Sequence, residues 1–222
     1  MYFQFLIEDA SAEILIGHVM GKLQDKYPEK EILFDTKSFT GIGHLRTTGN
    51  VMERKGGNLL NNLHIYLRGF DRSLSSMENA AIIVVLDNDQ RDVEKFRQDL
   101  EQVAKESLMF TDHVFCIAVK EMEAWLLGDE EAIEKAYPMI KKKYLKTYEQ
   151  DGICDTWEVL ANMVYPGGLS GLRKKSKSSY SETGKAKCEW ADKIGRELIL
   201  ENNISPSFRK LLSALQIRIE AA

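Results

Sequence analysis

Acidic side chains follow three stretches of this 222-residue sequence that have the apolar character of buried strands. They are Glu8, then Asp87 and Asp89, then Glu121 and Glu123. In a parallel sheet the carboxyl ends of the strands share one edge, so we expect these carboxylates to lie in a small volume. Such a cluster repels itself unless a cation neutralises it, and all-oxygen ligation suits Mg²⁺ or Mn²⁺. The pattern predicts a site for one or two of these ions.

The sequence Asp87-Asn88-Asp89 also has a plainer interpretation. An aspartate between a strand and a helix often caps the helix, and the motif alone favours such a turn. The repetition of acids at three strand ends favours the metal site instead. Other phosphate motifs do not fit, because Gly41-Ile42-Gly43 is followed by no third glycine in register. A haloacid-dehalogenase-type phosphatase with Asp87 as nucleophile is disfavoured because Arg91 stands where that motif has threonine.

Charge is unevenly distributed along the chain. The composition, 44 % hydrophobic and 29 % charged, excludes a disordered protein, and the net charge is −4. Residues 139–188, however, contain ten Lys/Arg and five Asp/Glu, which gives +5 there and −9 elsewhere. The candidate nucleic-acid contacts are Lys141, Lys142, Lys143, Arg173, Lys174, Lys175, Lys177 and Lys187. Contacts with phosphates would make binding salt-dependent, although lysine runs are also common on solvated surfaces.

The elements that must position these groups alternate between strands and helices in the first half of the chain. Strands are predicted at residues 2–7, 31–34, 80–86 and 114–119, and helices at 11–26, 59–67 and 92–108. Ser11 is the expected N-cap of the first helix. Continuous apolar strands indicate a mostly parallel sheet with helices on both faces, an α/β fold of the Rossmann-like kind.

The second half of the chain has helical patterns only. Helices are predicted at residues 121–127, 130–137, 139–149, 156–164, 187–200 and 206–217. The Gly/Ser/Lys-rich stretch at about 166–186 is expected to be a mobile basic loop. We therefore predict an α/β core at residues 1–128 and a helical extension at 129–222 that packs on it.

Several protein classes are excluded by simple counts. The three cysteines form no CxxC pair, which argues against a zinc ribbon or a disulfide framework. No apolar run approaches the ~18 residues of a membrane span, and Glu8 and Asp9 interrupt the N-terminal apolar stretch too early for a signal peptide. We expect a cytoplasmic protein with no membrane partner.

Four motifs together resemble an uncharacterised bacterial Toprim-like family. They read Ile7-Glu8-Asp9-Ala10-Ser11-Ala12-Glu13, Leu86-Asp87-Asn88-Asp89, Glu121-Met122-Glu123-Ala124-Trp125-Leu126-Leu127-Gly128-Asp129 and Ser205-Pro206-Ser207-Phe208. The match spans nearly the whole chain, and the block that begins at Glu121 is its most specific part. The family is similar to the Toprim domains of topoisomerases, primases and overcoming-lysogenization-defect (OLD) nucleases.

This resemblance implies a Toprim-like fold and Mg²⁺-dependent hydrolysis of phosphodiester bonds. Glu8 would be a metal ligand or an acid/base, Asp87 and Asp89 would be metal ligands, and Glu121 or Glu123 would complete a second site. The implied catalytic set is Glu8, Asp87, Asp89 and Glu123. The resemblance further implies a nuclease acting on DNA or RNA, with DNA the favoured substrate, a partner ABC/AAA-type ATPase encoded nearby and a role in phage defence. A homodimer is a separate expectation.

One position departs from the family pattern. The family usually has glycine after the first acid, whereas Asp9 stands here and either crowds the turn or adds a ligand. This departure keeps a second function open, that of a non-catalytic Toprim-like subunit that binds nucleic acid or a partner protein.

Overall fold

The central element of the computed structural model, which describes residues 1–44, 58–108, 110–152, 154–177 and 181–222, is one sheet. Its strands are β1 (Tyr2–Ile7), β2 (Leu33–Ser38), β3 (Ala80–Asp87) and β4 (Asp112–Ala118). They are parallel and lie in the order β2-β1-β3-β4. The predicted α/β fold with a parallel sheet is confirmed. The second strand begins two residues later than expected, since its register with β1 starts at the Tyr2–Leu33 pair.

Helices cover both faces of the sheet. Helix α1 (Ala10–Lys26) packs on one face, and α2 (Leu63–Leu74) and α3 (Val93–Ser107) pack on the other. Successive side chains of a strand point to opposite faces, so the apolar run of β3 supplies both cores. Ile83 and Val85 belong to the core on the α1 side, and Ile82 and Val84 to the core on the α2 side. The predicted glycine-containing loop before α2 falls largely at residues 45–57, outside the described residues.

The chain changes direction across the sheet between β1 and β3. From β1 it runs through α1 to β2, and it then returns to place β3 on the opposite side of β1. In parallel α/β sheets such a switch point opens a crevice at the carboxyl ends of the two strands, where ligands bind. Glu8 directly follows β1, and Asp87 is the last residue of β3.

The C-terminal part of the described chain is helical, as predicted. Its helices are α4 (Glu123–Leu127), α5 (Glu130–Ala136), α6 (Thr156–Val164), α7 (Gly168–Ser176), α8 (Glu182–Glu197) and α9 (Pro206–Ala221). Helix α8 packs along α1, and α9 lies beside β4. Trp190 and Ile194 of α8 share one apolar core with Val19 of α1 and Phe5 of β1, so the extension covers the α1 face of the sheet.

Two predicted segments differ in the structure. Residues 139–149 form turns with one 3₁₀ turn at Leu145–Thr147, because this segment docks on α6 through the Lys141 N–H to Met163 carbonyl bond of 3.2 Å. The expected mobile loop at 166–186 contains α7 and the start of α8. Its glycines mark a turn instead: Gly167 and Gly168 have φ of 78° and 65°, and buried Leu172 then anchors α7. Residues 178–180 of that stretch lie outside the described chain.

Candidate functional site

At the crevice between β1 and β3, a hydrogen bond joins the two acids Glu8 and Asp87. The Asp87 N–H donates to Glu8 Oε2 at 2.8 Å, and the Glu8 N–H donates to the Val85 carbonyl at 3.0 Å. The second bond continues the parallel ladder by one residue, which places the Glu8 side chain over the end of β3. The first two predicted site residues are therefore adjacent, as the strand-end pattern predicted.

Asp9 has a structural task next to this contact. Its carboxylate accepts the Ala12 N–H at 2.8 Å and the Ser11 hydroxyl at 3.0 Å, so Asp9 is the N-cap of α1. The prediction of Ser11 as the cap was wrong by two residues, because Asp9 already has the extended backbone of a cap (φ −144°, ψ 173°). The Asp9 carboxylate thus caps the helix and adds negative charge beside Glu8.

The Asp87-Asn88-Asp89 segment forms a tight turn tied together by its middle residue. Buried Asn88 accepts the Lys120 N–H at 2.5 Å and donates to the Arg91 carbonyl at 2.6 Å. Asp89 has φ of 49°, and its carboxylate contacts the Arg91 guanidinium at 2.8 Å. The strand ends at Asp87, so Asp89 lies beyond β3 in this turn. The capping interpretation fails as well, because Asp92 caps α3.

Glu123 and Lys187 bring the helical extension into the site. Glu123 opens α4 with only 1 % of its surface exposed, and its Oε1 and Oε2 lie 3.2 Å and 3.3 Å from Lys187 Nζ of α8. Oε1 makes no hydrogen bond within the described part of the chain. The charge of this buried oxygen is balanced by the Lys187 ammonium beside it, although the contact is not a well-formed hydrogen bond.

Glu121 lies at the edge of the same cluster with a different set of partners. Its Oε2 accepts the Thr156 hydroxyl at 2.7 Å and the Trp157 N–H at 3.3 Å, at the start of α6. This carboxylate therefore satisfies the N-terminus of α6, where Asp155 makes no side-chain cap. One oxygen of Glu121 is committed to that role.

Burial and neighbouring negative charges raise the pKa values of the acids in the site. Burial is the main cause that raises the pKa of Glu8 to about 7; the Asp87 N–H opposes it, and the charges of Asp9 and Asp89 add to it. Burial and the neighbouring Glu8 and Glu123 charges raise the pKa of Asp87 well above its usual range. Burial likewise raises the pKa of Glu123, against the attraction of Lys187. These shifts show that the three carboxylates interact across the strand ends.

Lys187 is the cation at the centre of this cluster. Burial alone would lower its pKa, but the carboxylates of Glu123, Asp87, Glu121 and Asp9 outweigh burial and raise it. The ammonium also lies 6.0 Å from the centre of the Trp157 ring. The sequence placed Lys187 among the nucleic-acid contacts, and the structure places it inside the acidic cluster.

The fit of a divalent cation can be judged from the donors. Within the described chain, no three His, Cys, Asp or Glu side chains are arranged to hold a metal ion. The reason lies in their present partners: Glu8 bonds the Asp87 N–H, Asp89 bonds Arg91, and Glu123 contacts Lys187. The donor type nevertheless fits Mg²⁺ or Mn²⁺, because the site offers carboxylate oxygens, one of them buried without a hydrogen bond.

Three of the predicted nucleic-acid contacts are paired with carboxylates of the extension. The pairs are Lys142 with Glu130 and Glu134, Arg173 with Glu158, and Lys175 with Glu182. These lysine and arginine side chains are all more than half exposed, so the pairs are weak and exchangeable.

Four other cations of that set are exposed and form no ion pair among the described residues. They are Lys141, Lys143, Lys174 and Lys177. The first two belong to the turns before α6, where a helix was wrongly predicted, and the last two lie on α7 and just after it. Helix α7 thus displays its basic residues on a folded surface that is connected to the site through α6 and α8.

A hydrogen-bond network behind the site, which we call the polar lock, joins the Glu121–Asp129 and Ser205–Phe208 motifs. Asp151 accepts the Ser205 hydroxyl at 3.0 Å and the Ser207 N–H at 3.1 Å, and the Trp125 indole N–H donates to the Ser207 hydroxyl at 2.8 Å. Asn203 donates to the Trp125 carbonyl at 2.7 Å. Asp151 stands in no motif, and the sequence did not identify it as a candidate.

Among the residues that the structure describes, no helix has the length and apolar character needed to cross a membrane. Comparison with known proteins gives one match. Residues 44–216 match the family described as "Domain of unknown function (DUF4276)". No curated protein matches the chain, and no solved structure does.

Proposed function

We propose that this chain, which belongs to the DUF4276 family, is a Mg²⁺- or Mn²⁺-dependent phosphodiesterase that cleaves nucleic acid. One observation carries the proposal: Glu8 accepts the Asp87 N–H at the switch point of the sheet, and buried Glu123 of α4 lies close enough for its charge to raise the pKa of Asp87. Clustered acids with perturbed pKa values in a strand-end crevice are typical of catalytic sites.

A metal ion would be held by Glu8, Asp87, Asp89 and Glu123 after Glu8, Asp89 and Glu123 leave their present partners. A bound divalent ion would polarise the phosphate and make a water molecule more acidic. Glu121 serves this site less directly, because one of its oxygens is committed to the start of α6.

The side chains of the chain itself supply proton transfer and charge stabilisation. In the alternative role of an acid/base rather than a metal ligand, Glu8 would take a proton from an attacking water molecule near neutral pH, because burial raises its pKa to about 7. Lys187 is positioned to neutralise charge on a phosphate oxygen when Glu123 turns toward the metal. Arg91 can likewise neutralise charge on a phosphate oxygen when Asp89 turns toward the metal.

Nucleic acid is the favoured substrate because α7, which packs on α6 and α8, and the residue after it carry exposed cations. Lys174 and Lys177 have no carboxylate partner among the described residues, and the exposed pairs of Arg173 and Lys175 can exchange for phosphates. DNA as the substrate, the Toprim relationship, a partner ABC/AAA-type ATPase and a role in phage defence are supported by the motif resemblance, and we retain them, together with the separate expectation of a homodimer, as parts of the proposal.

The decisive experiment incubates the purified chain with supercoiled plasmid and with a fluorescent single-stranded oligonucleotide. We expect cleavage with Mg²⁺ or Mn²⁺ and none with EDTA. Glu8→Gln and Asp87→Asn should each lower the rate at least about 100-fold, since each removes an anionic ligand. Asp99→Asn, at an exposed position of α3, is the matched control and should keep the wild-type rate.

A second function is favoured by the Lys187–Glu123 contact. An internal ammonium already neutralises part of the acidic cluster, as would suit a subunit that binds nucleic acid or a partner protein without catalysis. That function predicts salt-dependent binding and no cleavage under any metal condition, also after the neighbouring ATPase is added. Cleavage that survives both Glu8→Gln and Asp87→Asn would contradict the nuclease proposal.

A further inference from the structure

The outer edge of β2 carries backbone groups that no strand of the described chain uses. β2 is the first strand in the order β2-β1-β3-β4, so its partner in this sheet is β1 alone. The Leu33 N–H donates to the Met1 carbonyl at 3.0 Å, and the Phe39 N–H likewise reaches β1 at 2.9 Å. The odd-numbered residues of this segment therefore face β1. Since residues alternate along a strand, the backbone groups that point outward belong to Phe34, Thr36 and Ser38.

The two outer edges of the sheet differ in how far they are covered. At β4, two arginines donate to carbonyls that point outward, and Phe115 and Ile117 are only 1 % and 4 % exposed. Along β2, exposed residues alternate with half-buried ones. Within the described chain, the outward Thr36 N–H bonds only to the carboxylate of Asp35 beside it, at 2.9 Å. The edge of β2 is therefore open to a further strand, whereas the edge of β4 is closed.

Two exposed side chains on the open edge carry opposite charges. Asp35 and Lys37 lie two residues apart and therefore on the same face of the sheet, the α2 face. Neither forms an ion pair with a described residue, and the Lys37 ammonium lies 5.1 Å from the centre of the Tyr66 ring. A single charge on an edge strand usually prevents pairing with another strand. An acid and a base at this spacing instead match a second copy of the same strand that runs in the opposite direction.

One register of such a pairing brings the opposite charges together. When two copies pair antiparallel about an axis at Thr36, Asp35 of each copy lies opposite Lys37 of the other. The outward residues Phe34 and Ser38 then form hydrogen-bonded pairs, and the charged residues form the non-hydrogen-bonded pairs, where Cα atoms are about 4.5 Å apart. Moving the axis by one residue places Asp35 opposite Asp35, or Lys37 opposite Lys37, and like charges directly opposite are destabilising. The charge pattern therefore specifies the pairing about Thr36.

The same register covers an exposed apolar side chain. Leu33 is 52 % exposed and lies on the same face of the sheet as the two charges. In the pairing about Thr36, Leu33 stands opposite Phe39 of the second copy, whose ring lies 4.9 Å from the Tyr66 ring between centres. Leu33 would thus leave water beside an aromatic pair, which favours association.

We propose that two copies of this chain join through β2, antiparallel and about a twofold axis at Thr36, into one eight-stranded sheet. Each Thr36 N–H exchanges the Asp35 carboxylate for the carbonyl of the other Thr36, and each freed Asp35 meets Lys37 of the second copy. The interface is isologous, as in most homodimers. A strand of a different protein is a poorer occupant, because it would need the reversed acid–base pattern that a second copy already provides.

This inference gives the expected homodimer its surface and does not depend on nuclease activity. Each crevice lies between β1 and β3 of a single copy, so the second copy adds no residue to it.

The test is sedimentation velocity of the full chain over a series of protein concentrations. We expect a monomer–dimer equilibrium in which the dimer has twice the chain mass of 25.3 kDa. Asp35→Lys sets lysines opposite lysines, and Lys37→Asp sets aspartates opposite aspartates, so each should weaken dimerisation at least about tenfold. Asp99→Lys makes the same charge change at an exposed position of α3 and should leave dimerisation unchanged. Circular dichroism and melting temperatures show that the variants are folded.

The two single variants should complement each other. In a mixture, the lysines of Asp35→Lys lie opposite the aspartates of Lys37→Asp, so a heterodimer should form about as tightly as the wild-type dimer. Sedimentation of the mixture with one variant fluorescently labelled measures this, and the double variant Asp35→Lys/Lys37→Asp should also recover the dimer. A wild-type chain that stays monomeric, single variants that dimerise as tightly as wild type, or a mixture without heterodimer would each overturn the proposal.

Plasmid cleavage is measured separately on the same samples. Absence of cleavage by the wild-type chain contradicts the nuclease proposal and leaves the dimer result intact, and a monomeric chain that cleaves DNA contradicts only the dimer.

Discussion

Glu8 is a carboxyl group that still holds its proton at a pH where most glutamates have lost theirs. Its pKa of about 7 follows mainly from burial at the end of β1, to which Asp9 and Asp89 add negative charge. A metal-free site of this kind is destabilised by its own charges, and a divalent cation removes that cost. Stability, metal affinity and activity should therefore all depend on the ionisation of Glu8 and of the carboxylates coupled to it.

The stability of the metal-free chain should fall as pH rises from about 4.5 to about 7. In that interval native Glu8 keeps a proton that the unfolded chain, with the usual value of 4.5, has released. The native state then binds more protons, so the free energy of unfolding decreases with pH. Urea unfolding at pH 5, 6, 7 and 8 in EDTA measures this. A free energy that rises over the same interval would contradict it, and added Mg²⁺ should flatten the slope.

Glu8→Gln should stabilise the metal-free chain at pH 8 by roughly 1–3 kcal/mol while abolishing cleavage. The amide oxygen can still accept the Asp87 N–H, but the buried negative charge is gone. Thermal melts at pH 5 and pH 8 check the result, since the gain should vanish at pH 5. A variant that is less stable than the native chain at both values would show that Glu8 is not strained.

Lys187→Met should destabilise the chain by up to about 3–5 kcal/mol, the range for breaking a buried ion pair. The change leaves Glu123 buried beside other carboxylates without its cation. The double variant Glu123→Gln/Lys187→Met should recover most of the loss, and urea unfolding of the three variants gives the coupling energy. Additive losses would mean that the two side chains do not act as a pair.

At the scale of elements, the start of α9 is held by a buried polar lock. Ser205 caps α9 by accepting the Phe208 N–H and donates its own proton to Asp151. Gly128 packs so closely that a Cβ there would lie 2.2 Å from Asn203 Oδ1. Trp125 therefore connects α4 to α9, whereas Glu121 and Glu123, at the start of the same motif, belong to the crevice.

Ser205→Ala should lower the free energy of unfolding by about 1–2 kcal/mol, because it removes a helix cap and a bond to Asp151. Ser213→Ala, on an exposed position of the same helix, should change it by less than about 0.5 kcal/mol. Chemical denaturation of both variants checks the difference. Equal effects would show that the Ser205 hydroxyl is not needed for the lock.

At the scale of the whole molecule, the extension is part of the core that supports the sheet. Leu15 and Val19 of α1 share one apolar cluster with Ala191 and Ile194 of α8. The division at residue 128 stays a prediction, and the α1 side of the sheet buries its apolar surface against helices of the extension.

A chain cut after residue 128 should therefore fail to fold cooperatively. Removing α8 and α9 exposes the apolar side of α1 and the β4 side of the sheet. Hydrophobic burial is the main term that favours folding, and its loss over a whole face exceeds the stability of a typical domain. Circular dichroism and a thermal melt test this; a sharp two-state transition of the truncated chain would contradict it.

The uneven charge of the sequence acquires a spatial meaning in the folded chain. Part of the acidic surplus lies in the Glu8–Asp87–Glu123 cluster, and part of the basic surplus lies on α7. Lys187 is the exception, since it belongs by sequence to the basic segment and by position to the acidic cluster. A linear count of charge cannot locate a residue that a helix carries into a distant site.

The sequence by itself determined the α/β architecture, the exact limits of β1 and α6, and the meeting of Glu8 with Asp87. These follow from local periodicity and from the rule that parallel strands end at one edge, which need no knowledge of distant contacts. It also marked Glu123 as a candidate, and it identified the helical character of the second half.

Only the tertiary structure decided what each of these side chains does. Three of these roles join residues far apart in the chain: Lys187 pairs with Glu123, Glu121 binds the start of α6, and Asp151 bonds Ser205. In the fourth, Asp9 caps α1 in place of Ser11. The basic stretch at 166–186 contains helix α7 because Leu172 is buried in the core. Composition cannot indicate this packing. Local patterns specify elements, whereas burial and charge at a site depend on which elements pack together.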